Sequence, residues 1–444
     1  MQTGPAAFRR RAFQTKKRGI HMRKMKSVFC ILLAVMLMLS LTACVKQPDG
    51  TTGNGAHTTT VPVGTGSPEG VKIDLNDGWT VGFANSGSFS DVGYYYLSDY
   101  FLYFMDTENG TSVILCSKAG CQHDKAEDWD EIYACEAFID MGTVLFYSDG
   151  YLYYDKIEQD NPNAIHLYRR NADGTAEKKV ATLCEAYFSK TASVEITGYL
   201  CADGILYYSA TIYEMAEETP NNFVLSRSEV LLMRLDLTTG KEKEILRLKN
   251  AYIMPLAARE DALIFHRLDA LPQNEMKDFE KRKNLPSLLQ VWTESNGTAD
   301  TIFETTYEKC SLIGMYGDKF YYSGRNEYAG IYTYDFATGE HISTNLPENA
   351  VILNENYWSV SGELSTTIYD FRTGEPVHGD FDDWRINYYE IGELGFNAML
   401  RLCTGKTTDG KFIVEERIEG YIPFAALEDG LQKEDILIIY EEEY

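Results

Sequence analysis

Short aromatic segments recur along most of this chain, and a polar turn precedes each of them. The best preserved copies read Asp-Gly-Tyr-Leu-Tyr-Tyr from Asp149 and Asp-Gly-Ile-Leu-Tyr-Tyr from Asp203. Five of the six intervals between successive copies are 50 to 57 residues long, with the copies centred on Leu102, Leu152, Leu206, Leu263, Phe320, Tyr357 and Phe412. A period of this length indicates a fold built from repeated structural units.

A second series of turns runs in step with the first. Each turn combines an acidic or amide residue with a glycine three or four positions later, at residues 106–110, 171–174, 236–240, 294–297, 335–339 and 370–374. Such turns connect antiparallel strands, because glycine reaches positive φ without steric cost. The two series together predict an all-β chain of four-stranded antiparallel blades, a β-propeller of seven blades or, alternatively, eight. A pair of β-sandwiches is the competing arrangement.

Two stretches interrupt the repeat. Residues 214–229 are acidic and polar, and we expect them to form a loop that projects from a blade. Residues 272–290 contain Met-Lys-Asp-Phe-Glu-Lys-Arg-Lys from Met276, the best helix candidate outside the leader.

The N-terminal region has the three parts of a secretory signal. Basic residues precede an apolar run at 28–41, which is too short to span a bilayer, and Leu-Thr-Ala ends directly before Cys44. A cysteine at this position resembles the lipobox of bacterial lipoproteins, which implies cleavage between Ala43 and Cys44 and acylation of Cys44. We therefore expect a signal peptide at 1–43 with an over-long start, since Met22 or Met25 would suffice. A flexible Thr/Gly/Pro linker at 44–70 and a propeller domain at 71–444 follow.

Charge restricts the partners. Without the nine basic residues of the leader, 32 basic and 66 acidic residues remain, a net charge of −34. Such a surface repels phosphate backbones, so the chain is not expected to bind nucleic acid. The expected partners are the membrane, through the lipid on Cys44, and an unidentified protein or carbohydrate ligand. The expected location is the outer face of a bacterial cell membrane.

One segment has the composition of a metal site. Cys116, Cys121, His123 and Cys135 supply three thiols and an imidazole within 20 residues. This ligand set suits a closed, tetrahedral structural Zn²⁺ site, although the spacing is not that of a zinc finger. In an exported protein the same cysteines also suit one or two disulfides, or they remain free thiols.

A second cluster lies near the C-terminal part of the chain. Asp380, Asp382 and Asp383 precede Trp384. Three carboxylates beside an indole suggest a Ca²⁺ ligand set or a sugar-stacking site, and the alternative is an exposed acidic turn.

The chain resembles the propeller-type lipoproteins of Gram-positive anaerobes, whose functions are largely unknown. The resemblance rests on the lipobox, the Asp-Gly-aromatic repeats, Leu-Cys-Ser-Lys-Ala-Gly-Cys-Gln-His from Leu115, and Cys-Glu-Ala from Cys135. It implies a propeller fold outside the cytoplasm and supplies no catalytic residues.

The sequence contains neither the Gly-x-Ser-x-Gly motif of serine hydrolases nor the His-Glu-x-x-His motif of metalloproteases. We therefore predict a non-enzymatic module that binds a ligand or a protein at the cell envelope. The alternative is an extracytoplasmic hydrolase or lyase that acts on polysaccharide or peptide at the mouth of the propeller channel. Such a site would draw residues from several blades and leave no local motif.

Overall fold

The computed structural model describes residues 73–443, apart from residues 74, 76–77, 83–86, 91–92, 99, 108–110, 126–127, 140–143, 159–160, 189–191, 220–221, 273–274, 276–277, 327–328, 393 and 409. The leader, Ala43, Cys44 and the linker lie outside the described residues. The described part forms a seven-bladed β-propeller of small antiparallel sheets, which confirms the predicted fold class. None of its helices has the length and apolar character that crossing a bilayer requires.

The blades follow one another in chain order. Blades 1 to 4 consist of β2–β5 (Gly87–Phe89, Tyr94–Ser98, Phe101–Met105, Ser112–Ile114), β6–β9 (Leu145–Ser148, Tyr151–Glu158, Asn161–Asn171, Lys178–Leu183), β10–β13 (Ala192–Ala202, Ile205–Thr219, Asn222–Asp236, Lys241–Lys249) and β14–β17 (Ala251–Arg259, Ala262–Asp269, Pro286–Thr293, Ala299–Thr306). Blades 5 to 7 consist of β18–β21 (Cys310–Tyr316, Lys319–Gly324, Gly330–Asp335, His341–Ser343), β22–β24 (Ala350–Ile352, Tyr357–Ser361, Thr366–Asp370) and β25–β28 (Trp384–Ile391, Gly395–Lys406, Phe412–Pro423, Leu437–Glu443).

The first strand of each blade is the innermost. First strands of neighbouring blades contact one another, as β2 does β6 and β10 does β14. A further strand, β1 (Thr80–Val81), pairs antiparallel with β14 and gives blade 4 a fifth strand at its inner edge.

The aromatic repeat follows from alternation along the second strand of a blade. In blade 3, Leu206 and Tyr208 pack toward blade 2, whereas Tyr207 packs toward blade 4. The segment Phe320-Tyr321-Tyr322 of blade 5 alternates in the same way between blades 4 and 6. Because successive side chains of a strand point to opposite faces, three consecutive large residues fill two inter-blade cores. These cores exclude the sandwich alternative.

The predicted Asp–Gly turns follow the third strands of their blades, and in blades 2 to 5 they close the hairpins between third and fourth strands. Asp236 Oδ1 accepts hydrogen bonds of 2.9 Å from the backbone N–H groups of Thr238 and Thr239. Gly240 has φ +69°, and a Cβ at this position would lie 2.9 Å from the carbonyl oxygen of Val180. A side chain there would therefore be strained and also crowded against blade 2.

The ring is closed by side chains of blades 1 and 7. Tyr94, Tyr96 and Met105 of blade 1 form a buried cluster with Tyr421 of blade 7, and the rings of Tyr94 and Tyr421 lie 5.4 Å apart. Asn397 Nδ2 donates a 2.5 Å hydrogen bond to the Tyr94 hydroxyl. Each of these two blades consists of strands from its own segment of chain, and none of the described strands is shared between them.

The loop predicted for the first interruption of the repeat is not what the structure shows. Residues 214–229 do not form a separate loop, because β11 and β12 extend through them as a long hairpin. In the second interruption a short helix, Phe279–Lys283, starts after Asp278, whose side chain accepts a hydrogen bond from the Lys281 N–H. Blade 6 has three strands. The short interval between the fifth and sixth copies of the repeat contains two strands of only three residues, β21 and β22.

Candidate functional site

The connection between blades 1 and 2 brings the predicted metal ligands together. It contains a 3₁₀ turn (His123–Lys125) and the helix α1 (Trp129–Tyr133), which Asp128 caps. Gly120 adopts φ +75° and turns the chain back on itself between Cys116 and Cys121. We call residues 115–139 the cysteine loop.

The geometry of the four side chains fits a tetrahedral metal. The ligand atoms of Cys116, Cys121, His123 and Cys135 all lie within 4.8 Å of one another. Cys135 Sγ lies 3.6 Å from His123 Nδ1. With zinc–ligand bonds of about 2.0 to 2.3 Å, the edges of such a tetrahedron measure about 3.5 to 3.8 Å. The four residues could therefore hold a metal ion with only a small contraction.

All seven cysteines of the described chain are free, so the predicted disulfides are not formed.

The thiols of this group differ in acidity. Burial raises the pKa of Cys135 to about 12. Burial also opposes ionisation of Cys116, but hydrogen bonds from the backbone of Lys118 and Glu136 outweigh it and lower the pKa of that thiol.

Hydrogen bonds tie the two ends of the cysteine loop together. Glu136 Oε2 accepts from the backbone N–H and the hydroxyl of Ser117, at 3.1 and 2.8 Å. Lys118 Nζ donates to the carbonyl of Ala134 at 3.1 Å. The residues beside Cys116 and Cys135 are thereby held next to each other whether or not a metal is bound.

Arg170 connects the cysteine loop to blade 2. Its guanidinium is almost fully buried and donates to the carbonyls of Leu115, at 3.2 Å, and Glu136, at 2.9 Å. These carbonyls adjoin Cys116 and Cys135 in sequence. Arg170 therefore holds in place the backbone next to two of the candidate metal ligands.

A cavity of about 590 Å³ lies between the cysteine loop and blade 2. Blade 2 contributes Lys156, Glu158 and Glu177 to its wall, and the loop contributes Tyr133 and Phe138. The blade residues belong to the second strand and to the turn before the fourth, so the cavity lies on the flank of the ring. The alternative prediction from the sequence, by contrast, places an active site at the channel mouth.

The first carboxylate of the cavity is Glu177. It accepts hydrogen bonds from Lys156 Nζ at 2.6 Å, from Arg170 Nη2 at 2.7 Å and from the Tyr154 hydroxyl. Burial acts to raise the pKa of Glu177, but these hydrogen bonds and the two positive charges outweigh it and lower the pKa. Burial raises the pKa of Tyr154, so its hydroxyl stays protonated and keeps donating.

Part of this arrangement is common to several blades. The equivalent tyrosine of blade 3, Tyr208, hydrogen-bonds Glu242, and that of blade 5, Tyr322, hydrogen-bonds His341. What distinguishes blade 2 is the pair of cations, Lys156 and Arg170, and the open space beside them.

The second carboxylate is Glu158, at the end of β7. The Tyr168 hydroxyl donates to its Oε1, and His166 Nε2 and Lys179 Nζ lie 3.3 and 3.6 Å from its Oε2. The side chains of Glu158 and Glu177 are 31% and 34% exposed, so both carboxylates can be reached from the cavity.

The aspartates predicted at blade 7 have separate partners. Asp380 Oδ2 accepts from the backbone N–H of Lys433 at 3.1 Å. Asp382 accepts from the Gly379 N–H and lies 3.0 Å from His378 Nδ1, beside a smaller cavity of about 240 Å³.

The other two residues of that cluster also lie apart. Asp383 is exposed, whereas Trp384 is buried and packs edge-on against Phe381 at 5.1 Å. The indole of Trp384 thus belongs to the core of blade 7.

Sequence reasoning missed Glu158, Glu177 and Arg170. Both glutamates look like ordinary polar residues of turns and strand ends. Arg170 could have been noticed in the sequence, because it is a charged residue in a strand that also contains the large buried residues Leu167 and Tyr168. A buried arginine needs several acceptors, and the sequence does not show where they are.

No protein-family model matches the chain, and no curated protein matches it. Among solved structures it is similar to a protein described as a dipeptidyl aminopeptidase IV from Bacteroides ovatus, with 10% identity, a TM-score of 0.40, and coverage of 82% of this chain and 60% of the other. An acylaminoacyl peptidase matches with 11% identity, a TM-score of 0.44, and coverage of 77% and 51%. An oligogalacturonate lyase in complex with manganese matches with 13% identity, a TM-score of 0.38, and coverage of 62% and 69%.

The chain thus spans about half to two thirds of the length of these structures. At these identities and TM-scores the similarity assigns neither an activity nor a family to this chain. The comparison nevertheless contradicts the predicted non-enzymatic binding module, since the matched structures carry the names of peptidases and a lyase.

Proposed function

We propose that this protein is a hydrolase of the cell envelope, with its active site in the cavity between blade 2 and the cysteine loop. The observation that carries the proposal is that Glu158 and Glu177 open into one cavity, each held by its own set of donors. Paired carboxylates are a recurrent means of adding water across a bond, because one activates the water and the other protonates the leaving group.

The roles follow from the surroundings of each carboxylate. Glu177 has a lowered pKa and is therefore ionised at neutral pH, the form that can accept a proton from water, although the same donors make it a weaker base. Glu158 is then the carboxyl group left to donate a proton to the leaving group. Lys156 and Arg170 hold Glu177 in place and compensate its charge.

The test is turnover by the full-length protein, extracted in detergent, on a panel of glycans and peptides. We expect Glu177→Gln to lower turnover by about 10²-fold or more, the usual effect of losing a general base. Glu294→Gln is the matched control, because Glu294 is also a half-exposed turn glutamate paired with an arginine and a lysine, on blade 4. Equal turnover by wild type and Glu177→Gln on every cleaved substrate would refute the proposal, as would products of β-elimination, which belong to a lyase.

We further propose that the cysteine loop holds a structural Zn²⁺ ion. Four protein ligands leave no open coordination position, so the ion would stabilise the loop and take no part in the chemistry. Elemental analysis of the purified full-length protein should find one zinc per chain, and Cys121→Ser should abolish it. Reduced, folded protein that contains no metal would contradict this assignment.

The lipid anchor on Cys44 and the extracytoplasmic location remain proposals that rest on the leader sequence. The resemblance to propeller lipoproteins of Gram-positive anaerobes supports both. Mass spectrometry of the mature N-terminus should find an acylated Cys44, and Cys44→Ala should release the protein from the membrane fraction. An unmodified N-terminus at any other residue would exclude the anchor.

A further inference from the structure

We infer that the substrate of the cavity is a neutral oligosaccharide, and that its sugar rings stack on an aromatic surface formed by the cysteine loop and by Tyr100 of blade 1. The inference rests on the proposed function, because it identifies the substrate class of that same site. We call this surface the aromatic platform, and it consists of Tyr100, Trp129, Tyr133 and Phe138.

The platform is a continuous group of rings. The centroids of Trp129 and Tyr133 lie 5.8 Å apart, those of Tyr133 and Phe138 lie 5.3 Å apart, and Phe138 lies 6.3 Å from Tyr100. Trp129 is 57% exposed and Tyr100 is 58% exposed, so the outer rings face solvent. Tyr133 and Phe138 also line the cavity, so the platform leads directly to the two carboxylates.

The other large exposed aromatic residues of the described chain do not form such a group. Phe279 is covered by the cations of Arg282 and Lys283, and the Tyr389 hydroxyl donates to Glu419. Single exposed aromatics are ordinary on protein surfaces, whereas a contiguous patch beside a cavity indicates a ligand. A tryptophan or tyrosine suits a sugar, because the ring covers the apolar C–H face while polar groups bind the hydroxyls.

The charges of the cavity favour a ligand without charge. Glu177 is paired with Lys156 and Arg170, and Glu158 lies beside Lys179 and His166. Lys156 and Arg170 thus already have an anion, Glu177, within the site. A uronate, a phosphate or a peptide carboxylate would have to break one of these pairs, whereas hydroxyl groups can bind to the remaining donors and acceptors without doing so.

The platform is also rigid enough to select a ligand. Both ends of the loop are held by Arg170 and by the Ser117–Glu136 hydrogen bonds. Aromatic side chains lose little conformational entropy on binding, since they have only two rotatable bonds. The protein therefore loses little conformational entropy when a sugar stacks on Trp129.

Calorimetric titration of the full-length Glu177→Gln protein with hexasaccharides tests this inference. The probes are neutral hexamers of glucose, xylose, mannose and N-acetylglucosamine, a hexamer of galacturonic acid, and a hexapeptide. We expect at least one neutral hexamer to bind, and Trp129→Ala and Tyr100→Ala each to weaken it by about three- to tenfold. Tyr252→Ala is the matched control, because Tyr252 is 57% exposed on blade 4 and should leave binding unchanged.

The outcomes separate this inference from the proposed function. Binding of only the galacturonate or the peptide, or no effect of either platform substitution on a neutral hexamer, would overturn the inference. Cleavage of peptides by wild type with loss of turnover in Glu177→Gln would also overturn it and leave the hydrolase intact. Platform-dependent glycan binding with equal turnover in wild type and Glu177→Gln would support the inference and refute the catalytic role. Melting temperatures equal to that of wild type show that the variants are folded, and Glu177→Asp is the second variant if Glu177→Gln is not.

Discussion

Arg170 occupies a position on the third strand of its blade that other blades fill with apolar residues. It pairs with Leu152, and the corresponding residues are Leu235 in blade 3, Trp292 in blade 4 and Tyr334 in blade 5. We predict that Arg170→Leu lowers the free energy of unfolding by about 3 kcal/mol, because it removes bonds to two carbonyls and leaves Glu177 without its buried partner. Urea unfolding measures the change.

The same substitution should weaken zinc binding by about 10- to 100-fold, since the groups around the ligands lose their support. Competition with a chelator gives this affinity. Arg372→Leu serves as the control, because the Arg372–Asp370 pair lies at the surface, and its unfolding midpoint should stay near that of wild type. An Arg170→Leu protein with unchanged stability and zinc affinity would show that the arginine is dispensable.

His266 gives a pH-dependent stability. Its imidazole is buried against Ser287, and burial lowers its pKa from 6.5 to about 4. Between pH 6.5 and pH 4 the unfolded chain therefore binds a proton at this histidine, whereas the folded protein does not. The contribution of His266 to the free energy of unfolding is therefore complete above pH 6.5 and falls toward pH 4. We expect a loss of about 3 kcal/mol from this residue, and urea titrations from pH 7 to 4 should show that His266→Gln has a flatter profile.

Among the elements, the cysteine loop is the one that the proposed zinc ion would stabilise. It contains one short helix and a 3₁₀ turn, and helix α1 buries no side chain. We predict that removal of zinc by a chelator exposes residues 115–139 to proteases while the seven blades remain resistant. Limited proteolysis with mass spectrometry tests this, and Cys184→Ser is the control because Cys184 lies in the core between blades 2 and 3. Cleavage within the blades as early as in the loop would contradict the prediction.

The same element shows what could be predicted from the sequence. The four metal ligands lie within 20 residues, so a local pattern was enough to group them. Strands and hairpins were also predictable, because alternation and Asp–Gly turns act over a few residues. Glu158 and Glu177 face one cavity only through the pairing of β7, β8 and β9 and the packing of the loop on them, and no pattern in the sequence reports those contacts.

In the whole molecule, the seam between blades 1 and 7 has the smallest of the inter-blade cores that the described residues form. Its core contains four buried and two partly buried hydrophobic residues, against four and five between blades 5 and 6, and 17 and eight between blades 2 and 3. Packing of this kind stabilises in proportion to the apolar area that is buried, so the seam contributes least to closure. Hydrogen exchange should accordingly be fastest in β2–β5 and β25–β28.

Replacement of Tyr421 with alanine tests this seam directly. The substitution removes the ring that stacks on Tyr94, and we predict a loss of about 3 to 4 kcal/mol with faster exchange in blades 1 and 7. Tyr207→Ala, in the core between blades 3 and 4, is the matched control. It should lower the free energy of unfolding by a similar amount. Hydrogen exchange in blades 1 and 7 should stay at the wild-type rate, because the ring opens where its closure is weakest. Equal exchange of all seven blades in both variants would mean that the propeller unfolds as one cooperative unit without a preferred seam.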